Sequence, residues 1–322
     1  MRAMGTITIE ENNQQVVDQI TTLQSDPDTD CGYRKMYYEL MIRGYFINHK
    51  KVYRLMKENN LLKERHKPQG KAYAKYRIVI PEGPLQVLEM DIKYIWVTQA
   101  RRHAFILTIL DTFTRVVLHW QVGFTMRSKQ VKQAWESVII NHLQPADLLT
   151  RKIDVEIRND NGPQFASRMI QQFFQENYLN QVYTHPYTPQ ENGHIESFHS
   201  ILSGALGKQP FWDLPELEER LTTFYPKYNY VRLHGSIAYL TPMMFWKLWD
   251  EQKIGRQLLD NKKVKFKLTI PYQQLSGNGF LREVPCLNNQ TLDESDYLQY
   301  EANGPESLQQ PSVQRKPSVV PC

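Results

Sequence analysis

Apolar residues along this chain recur with two spacings, one suited to strands and one to helices. Residues 85–97 (LQVLEMDIKYIWV), 103–111 (HAFILTILD) and 115–123 (RVVLHWQVG) are strand-length apolar or alternating runs. Turn-length gaps join them, which predicts an antiparallel meander. Helical spacing follows at 127–143, then a short strand at 153–158 and a helix at 164–178. A strand at 180–184 and a helix from about residue 189 complete the run. The order β-β-β-α-β-α-β-α predicts an α/β fold, a mixed sheet with helices packed on it. Upstream, residues 11–24 read as a helix broken by Ser25-Asp26-Pro27-Asp28. Met36, Leu40 and Met41 mark the next helix, which Gly44 ends, and Asn48 caps a further one carrying Val52, Leu55 and Met56. Two short helices about a glycine-containing turn predict a helix-turn-helix.

These changes of pattern divide the chain. Residues 1–30 hold an acidic helix, 31–66 the helix-turn-helix and 67–84 a basic linker. Residues 85–248 hold the α/β core, and 249–300 a small β-rich appendage with the strand-like KVKFKLTI. The polar Pro/Ser/Gln tail at 301–322 is expected to be disordered.

Carboxylates stand out against this frame. Asp91 interrupts the first core strand, with Glu89 and Lys93 on its face and Leu88, Met90, Ile92, Tyr94 and Trp96 on the other. An aspartate in so apolar a strand costs burial energy unless it is paired or binds a cation. Asp111, between two strands, reads as an Asx turn. Asp160 precedes Asn161-Gly162-Pro163, a turn sequence, yet it stands between a strand and a helix, where open α/β sheets gather ligand-binding groups. Thr188-Pro189-Gln190-Glu191 fits a capping box, which gives Glu191 a structural task. Glu196 has none, lying roughly 130° from the apolar stripe of Ile195, Phe198, Leu202 and Leu206.

Charge adds a partner. The 322-residue chain has a net charge of +5, unevenly spread: residues 1–30 sum to −5 and residues 31–80 to +10. A block this basic suits a polyanion, with a solvated lysine-rich face as the alternative. Arg34, Lys35, Lys50, Lys51 and Arg54 on the helix-turn-helix are the candidate DNA contacts, joined by His194 and His199. Those two histidines are five apart, not the four that suits one metal on a helix face. No apolar run approaches the roughly 18 residues of a membrane span. Three scattered cysteines, Cys31, Cys286 and Cys322, suit a reducing cytoplasm and form neither a disulfide framework nor a zinc cluster.

The order of the three carboxylates, with 35 residues between Asp160 and Glu196, resembles the DDE recombinases of the retroviral-integrase superfamily. More narrowly, the chain resembles insertion-sequence transposases that encode their catalytic part in a second reading frame. The resemblance rests on KKVYRLMKENNL at 50–61, MDIKYI around Asp91, NDNGPQF around Asp160, YTPQENGHIESF around Glu196 and YNYVRLHGSIAYLTPMMFW at 228–246. It covers about residues 30–248. It implies a ribonuclease H-like mixed five-stranded sheet with flanking helices. It also implies metal-dependent DNA cleavage and 3′-hydroxyl strand transfer, with Asp91, Asp160 and Glu196 as catalytic metal ligands. The cofactor implied is a pair of Mg²⁺ ions, with Mn²⁺ as a substitute. The implied partners are element ends and target DNA, a second copy of the chain at least, and an upstream-frame DNA-binding polypeptide, all in a nucleoid-associated bacterial-type cytoplasm. Two departures are notable: Ser203 stands where relatives carry Lys or Arg, and Leu88 where they carry Trp. A DNA-binding protein without turnover and a nuclease without strand transfer remain as alternative readings.

Overall fold

The computed structural model describes residues 2–4, 7–9, 12–28, 31–63, 80–148, 155–184, 192–259 and 264–277. A short hairpin, β1 (Arg2–Met4) with β2 (Ile7–Ile9), precedes α1 (Asn13–Gln24), α2 (Tyr33–Ile42) and α3 (His49–Glu58). Asn12 and Gln15 form a capping box that starts α1. Gly44 adopts φ +86° just beyond α2, and the Asn48 side chain accepts from the Lys50 amide at 2.8 Å to start α3. Both helix boundaries are therefore where the residue types place them.

The division expected at residue 30 is not a packing boundary. Val16, Val17 and Ile20 of α1 share one core with Met36, Leu40, Val52, Leu55 and Met56 of α2 and α3. Two short helices bury too little apolar surface alone, and the stripe on α1 completes their core. The three-helix unit then docks on the rest of the chain. Tyr38 stacks on Tyr239 with ring centroids 4.0 Å apart, and Ile42 joins the cluster around Phe245 and Leu248.

The central sheet comprises β3 (Val87–Val97), β4 (Arg102–Asp111), β5 (Val117–Gly123), β6 (Val155–Asn159) and β7 (Leu179–Tyr183). Its spatial order is β5-β4-β3-β6-β7. The first three strands pair antiparallel as the expected meander, whereas β6 and β7 add in parallel. This is the ribonuclease H-like arrangement. One face carries Leu88, Met90, Ile92, Leu107 and Ile109 against α4 (Ser128–Val138) and α5 (Arg168–Glu176), with Trp135 fully buried between them. A π-helical turn, Ile139–Leu143, prolongs α4. The other face carries Val97, Ala104, Ile106, Leu110 and Val117 against α6 (Gly193–Leu206) and α7 (Leu214–Tyr230). The first face outruns its helices, leaving Tyr94 and Trp96 57% and 45% exposed at the strand end.

Asp111 makes the turn its sequence announces. Its carboxylate accepts from the Phe113 amide at 3.2 Å and the Thr114 amide at 3.1 Å, and it is fully buried. Beyond α7, α8 (Pro242–Asp250) and the hairpin β8 (Ile254–Leu258) with β9 (Val264–Leu268) pack around Phe113, and a 3-10 turn follows at Tyr272–Gly277. The expected appendage is thus β-structured up to Leu268, while the expected disordered tail and most of the basic linker lie outside the described residues.

Candidate active site

The centre of the sheet brings two of the sequence-selected carboxylates together. Asp91 sits on β3, opposite Thr108 of β4, whose hydroxyl shares a 2.8 Å hydrogen bond with the Tyr225 hydroxyl. Asp160 immediately follows β6, the parallel neighbour of β3. Its Oδ1 accepts from the Gly162 amide at 3.0 Å, so the Asp-Asn-Gly turn aims the carboxylate back over the strand end. Burial raises the Asp160 carboxyl above the usual range, and the nearby negative charge of Asp91 raises it further, against the Gly162 bond. A divalent cation bound beside Asp160 would offset that cost to its ionised form.

Helix α6 brings the third carboxylate. Glu196 lies in its first turn and is exposed. The helix was expected from about residue 189 but begins at Gly193, and the Asn192 side chain makes no cap bond. The Thr188-Glu191 capping box lies outside the described residues. The acceptor for the helix start comes instead from the sheet: Glu89 Oε2 takes the Ile195 amide at 2.6 Å, and its carboxylate also accepts from the His194 amide. Glu89 is 3% exposed. Burial pushes its pKa up to about 7, opposed by those two amides and by the charges of Arg115 and Arg158. Glu89 was not among the residues singled out from the sequence. Its signal was its position two residues before Asp91 on the same strand face.

The same helix reaches Asp91 one turn further on. His199 Nδ1 lies 3.3 Å from Asp91 Oδ2, and the His199 side chain is 13% exposed. His199 is therefore a partner of Asp91. His194 sits one turn earlier on α6 and is partly exposed. Burial, with Arg115 and Arg158 beside it, drives its pKa well below the ordinary histidine value and keeps the ring neutral. Lys35 is partly exposed beside Arg232, where burial and that guanidinium lower its pKa to about 8. By contrast Arg34, Lys50 and Arg54 are exposed, Lys51 is partly so, and Arg54 lies 3.8 Å from Glu58 along α3. Ser203 spends its hydroxyl on the His199 carbonyl at 2.7 Å, a bond within the helix.

Among the described residues no group of three or more His, Cys, Asp or Glu side chains is gathered closely enough to hold a metal ion. Asp91 and Asp160 are within electrostatic reach of each other, and Glu196 sits on the first turn of the helix that contacts β3. The donor chemistry of the aspartate pair, hard oxygens in mutual repulsion, fits a small divalent cation.

Comparison with known proteins places this geometry. An integrase core domain matches residues 81–189, and a second integrase core domain matches residues 177–242, so that together they span half of the chain. An HTH-like domain matches residues 11–69. An uncharacterized 39.2 kDa protein of insertion element IS476 from Xanthomonas euvesicatoria is 26% identical over 216 residues, 66% of this chain and 60% of that protein. InsK of Escherichia coli, named as a transposase for insertion sequence element IS150, is 24% identical over 226 residues, 66% of this chain and 76% of that one. The chain carries an integrase core domain. Among solved structures, the HTLV-2 integrase catalytic core in complex with magnesium is similar at 17% identity and a TM-score of 0.37, over 51% of this chain and 97% of that one. Within this integrase-core chain, the first matched domain contains Asp91 and Asp160, the second contains Glu196, and the HTH-like domain takes in α1, α2 and α3. The match therefore includes the acidic helix α1. The chain matches only three fifths of the length of the IS476 protein.

Proposed function

We propose that this chain is a DNA transposase that cuts the ends of a mobile element and joins them to new DNA, with Asp91, Asp160 and Glu196 as the metal-binding carboxylates. The observation that supports the reading is Asp91 on β3 and Asp160 just past the end of the neighbouring β6, close enough for the charge of one to act on the other, with α6 held to β3 beside them. Asp91 and Asp160 would hold the divalent cations, Mg²⁺ by the hard-oxygen chemistry of the donors, and Glu196 would complete the set. Bound there, the cations supply activation of the attacking oxygen and neutralisation of charge on the leaving oxygen. His199 keeps Asp91 oriented through its 3.3 Å contact. In the first step water attacks a phosphodiester and the P–O3′ bond breaks, freeing a 3′-hydroxyl. In the second that hydroxyl attacks another phosphodiester, one P–O bond forming as one breaks. The number of phosphodiesters is conserved in joining, so no nucleotide cofactor is consumed.

DNA is the partner this reading requires. Pairing two element ends calls for at least two copies, and an upstream-frame polypeptide is a further proposed partner for end recognition. No helix among the described residues is long and apolar enough to cross a membrane. The test is incubation of the purified chain with Mg²⁺ and a duplex copied from the DNA flanking its gene. Nicked and joined products, both lost on chelation, are the expected result. Binding without cleavage would overturn the reading in favour of a DNA-binding protein without turnover, and nicking without joining in favour of a nuclease.

The exposed face of α3 is the proposed entry for the duplex. Lys50→Ala with Arg54→Ala is expected to weaken DNA binding and to flatten its log-salt slope by about one unit for each phosphate no longer neutralised. Fluorescence anisotropy across a salt series checks this.

A further inference from the structure

A helix leaves four amides without partners at its N-terminus, and something must accept from them. In α6 the Asn192 side chain does not. The acceptor is Glu89, which reaches from β3 to the amides of His194 and Ile195. We propose that Glu89 is the positioning residue for the helix that carries Glu196, an inference that rests on the DNA-processing reading above.

Three features make the contact more than a local cap. First, Glu89 and Asp91 share a strand face, so they are about 7 Å apart along the rigid central strand. Second, α6 touches that strand through both of them: the Ile195 amide meets Glu89 and, one turn on, His199 meets Asp91. Glu196 lies between those two attachments and adjoins the peptide unit held by Glu89. The sheet that carries Asp91 thereby sets the start, and with it the phase, of the helix that carries Glu196. Third, the acceptor is enclosed. Glu89 is 3% exposed and lies near Arg115 and buried Arg158, the latter also paired to Glu156 at 2.6 Å. A helix cap supplied from within the same segment would fix the helix relative to its own loop. One supplied from β3 fixes it relative to Asp91, and cleavage needs that second relation.

Two substitutions separate positioning from other roles. Glu89→Met keeps the volume and removes the acceptor, whereas Glu89→Gln keeps an acceptor oxygen and removes the charge. Amide hydrogen exchange of the free protein should speed up at His194 and Ile195 in Glu89→Met and return towards wild type in Glu89→Gln. Cleavage of the flanking-DNA duplex in Mg²⁺ should fall by about 10- to 100-fold in Glu89→Met, the range for groups that orient metal ligands, with more Mg²⁺ needed for half-maximal rate. Glu89→Gln should recover most of both. The proposal is overturned if Glu89→Met cuts DNA like wild type, or if its His194 and Ile195 amides stay protected. It is also overturned if Glu89→Gln restores protection but remains as inactive as Glu89→Met, for then the charge and not the cap is required. The exchange arm uses no DNA. Should wild type cut no duplex, that result counts against the transposition reading, while the exchange data still decide the cap.

Discussion

Asp160→Asn is expected to abolish DNA cleavage and joining, by at least about a thousandfold, without lowering the melting temperature. A bound cation contributes several kcal/mol to stabilising a phosphoryl-transfer transition state, and each factor of ten in rate is about 1.4 kcal/mol. Losing one anionic ligand from the Asp91–Asp160 pair removes most of that contribution. The fold should not suffer, for two reasons. Asparagine keeps the Oδ1 that accepts from the Gly162 amide at 3.0 Å. It also removes a carboxylate whose ionised form is disfavoured in the native state by burial and by Asp91. The sign follows from linkage. A carboxyl with a raised folded-state pKa favours the native state below its unfolded pKa, and that contribution is lost as pH rises through the folded value. At neutral pH the uncharged amide is thus neutral or mildly stabilising. Glu196→Gln, on an exposed helix face, should likewise lose activity and keep its melting temperature. Gel assays of nicked and joined products, beside thermal melts of the same samples, check both halves. Undiminished products from either variant would remove that residue from the site.

Asp28→Ala is expected to destabilise the chain by about 3 kcal/mol, the largest effect foreseen for any single charge outside the active site. Asp28 follows α1 and is 4% exposed. Arg220 of α7 forks onto its two oxygens, one arm at 3.0 Å, and Lys227 approaches to 3.7 Å. Arg232 donates to the Asp28 backbone carbonyl. An exposed ion pair contributes at most about 1 kcal/mol, but removing one member of a buried cluster strands the others. Lys227 keeps Asp26 at 2.9 Å and Arg220 keeps the Ala205 carbonyl at 2.8 Å, which holds the expected loss at the lower end of the usual range. Urea denaturation of Asp28→Ala, Arg220→Ala and the double variant measures the coupling. Additive losses under about 1 kcal/mol would mean the cluster behaves as surface charge and that the three-helix unit is held chiefly by the Tyr38–Tyr239 stack.

Much of the framework is legible in the order of the amino acids. Strand periodicity locates β3, β4 and β5 as a meander, and the helical spacing of Met36 and Leu40 locates α2. Gly44 and Asn48 mark their helix ends because each acts within a few residues of its own backbone. Asp111 is legible as a turn for the same reason. The site is legible only by residue type and order. His194, His199 and Lys35 all pass as polar surface groups in the sequence, and each lies near charged residues far along the chain. The acceptor for the first amides of α6 comes from Glu89, 106 residues away from Ile195. No window of neighbouring residues contains that information.

The sequence by itself determined which segments become strands and helices, which carboxylates interrupt apolar surroundings, and where the basic helices lie. Those properties follow from periodicity, local hydrogen bonding and side-chain chemistry, all of which act at short range. Only the tertiary structure decided that Asp160 comes within electrostatic reach of Asp91, that His199 serves Asp91, that α1 completes the helical unit and that β3 holds the helix of Glu196. The first depends on the parallel addition of β6 beside β3, the next on the packing of α6 against the sheet, and the helical unit on apolar stripes that meet only when three helices pack, so each brings distant residues into contact only once the chain has folded.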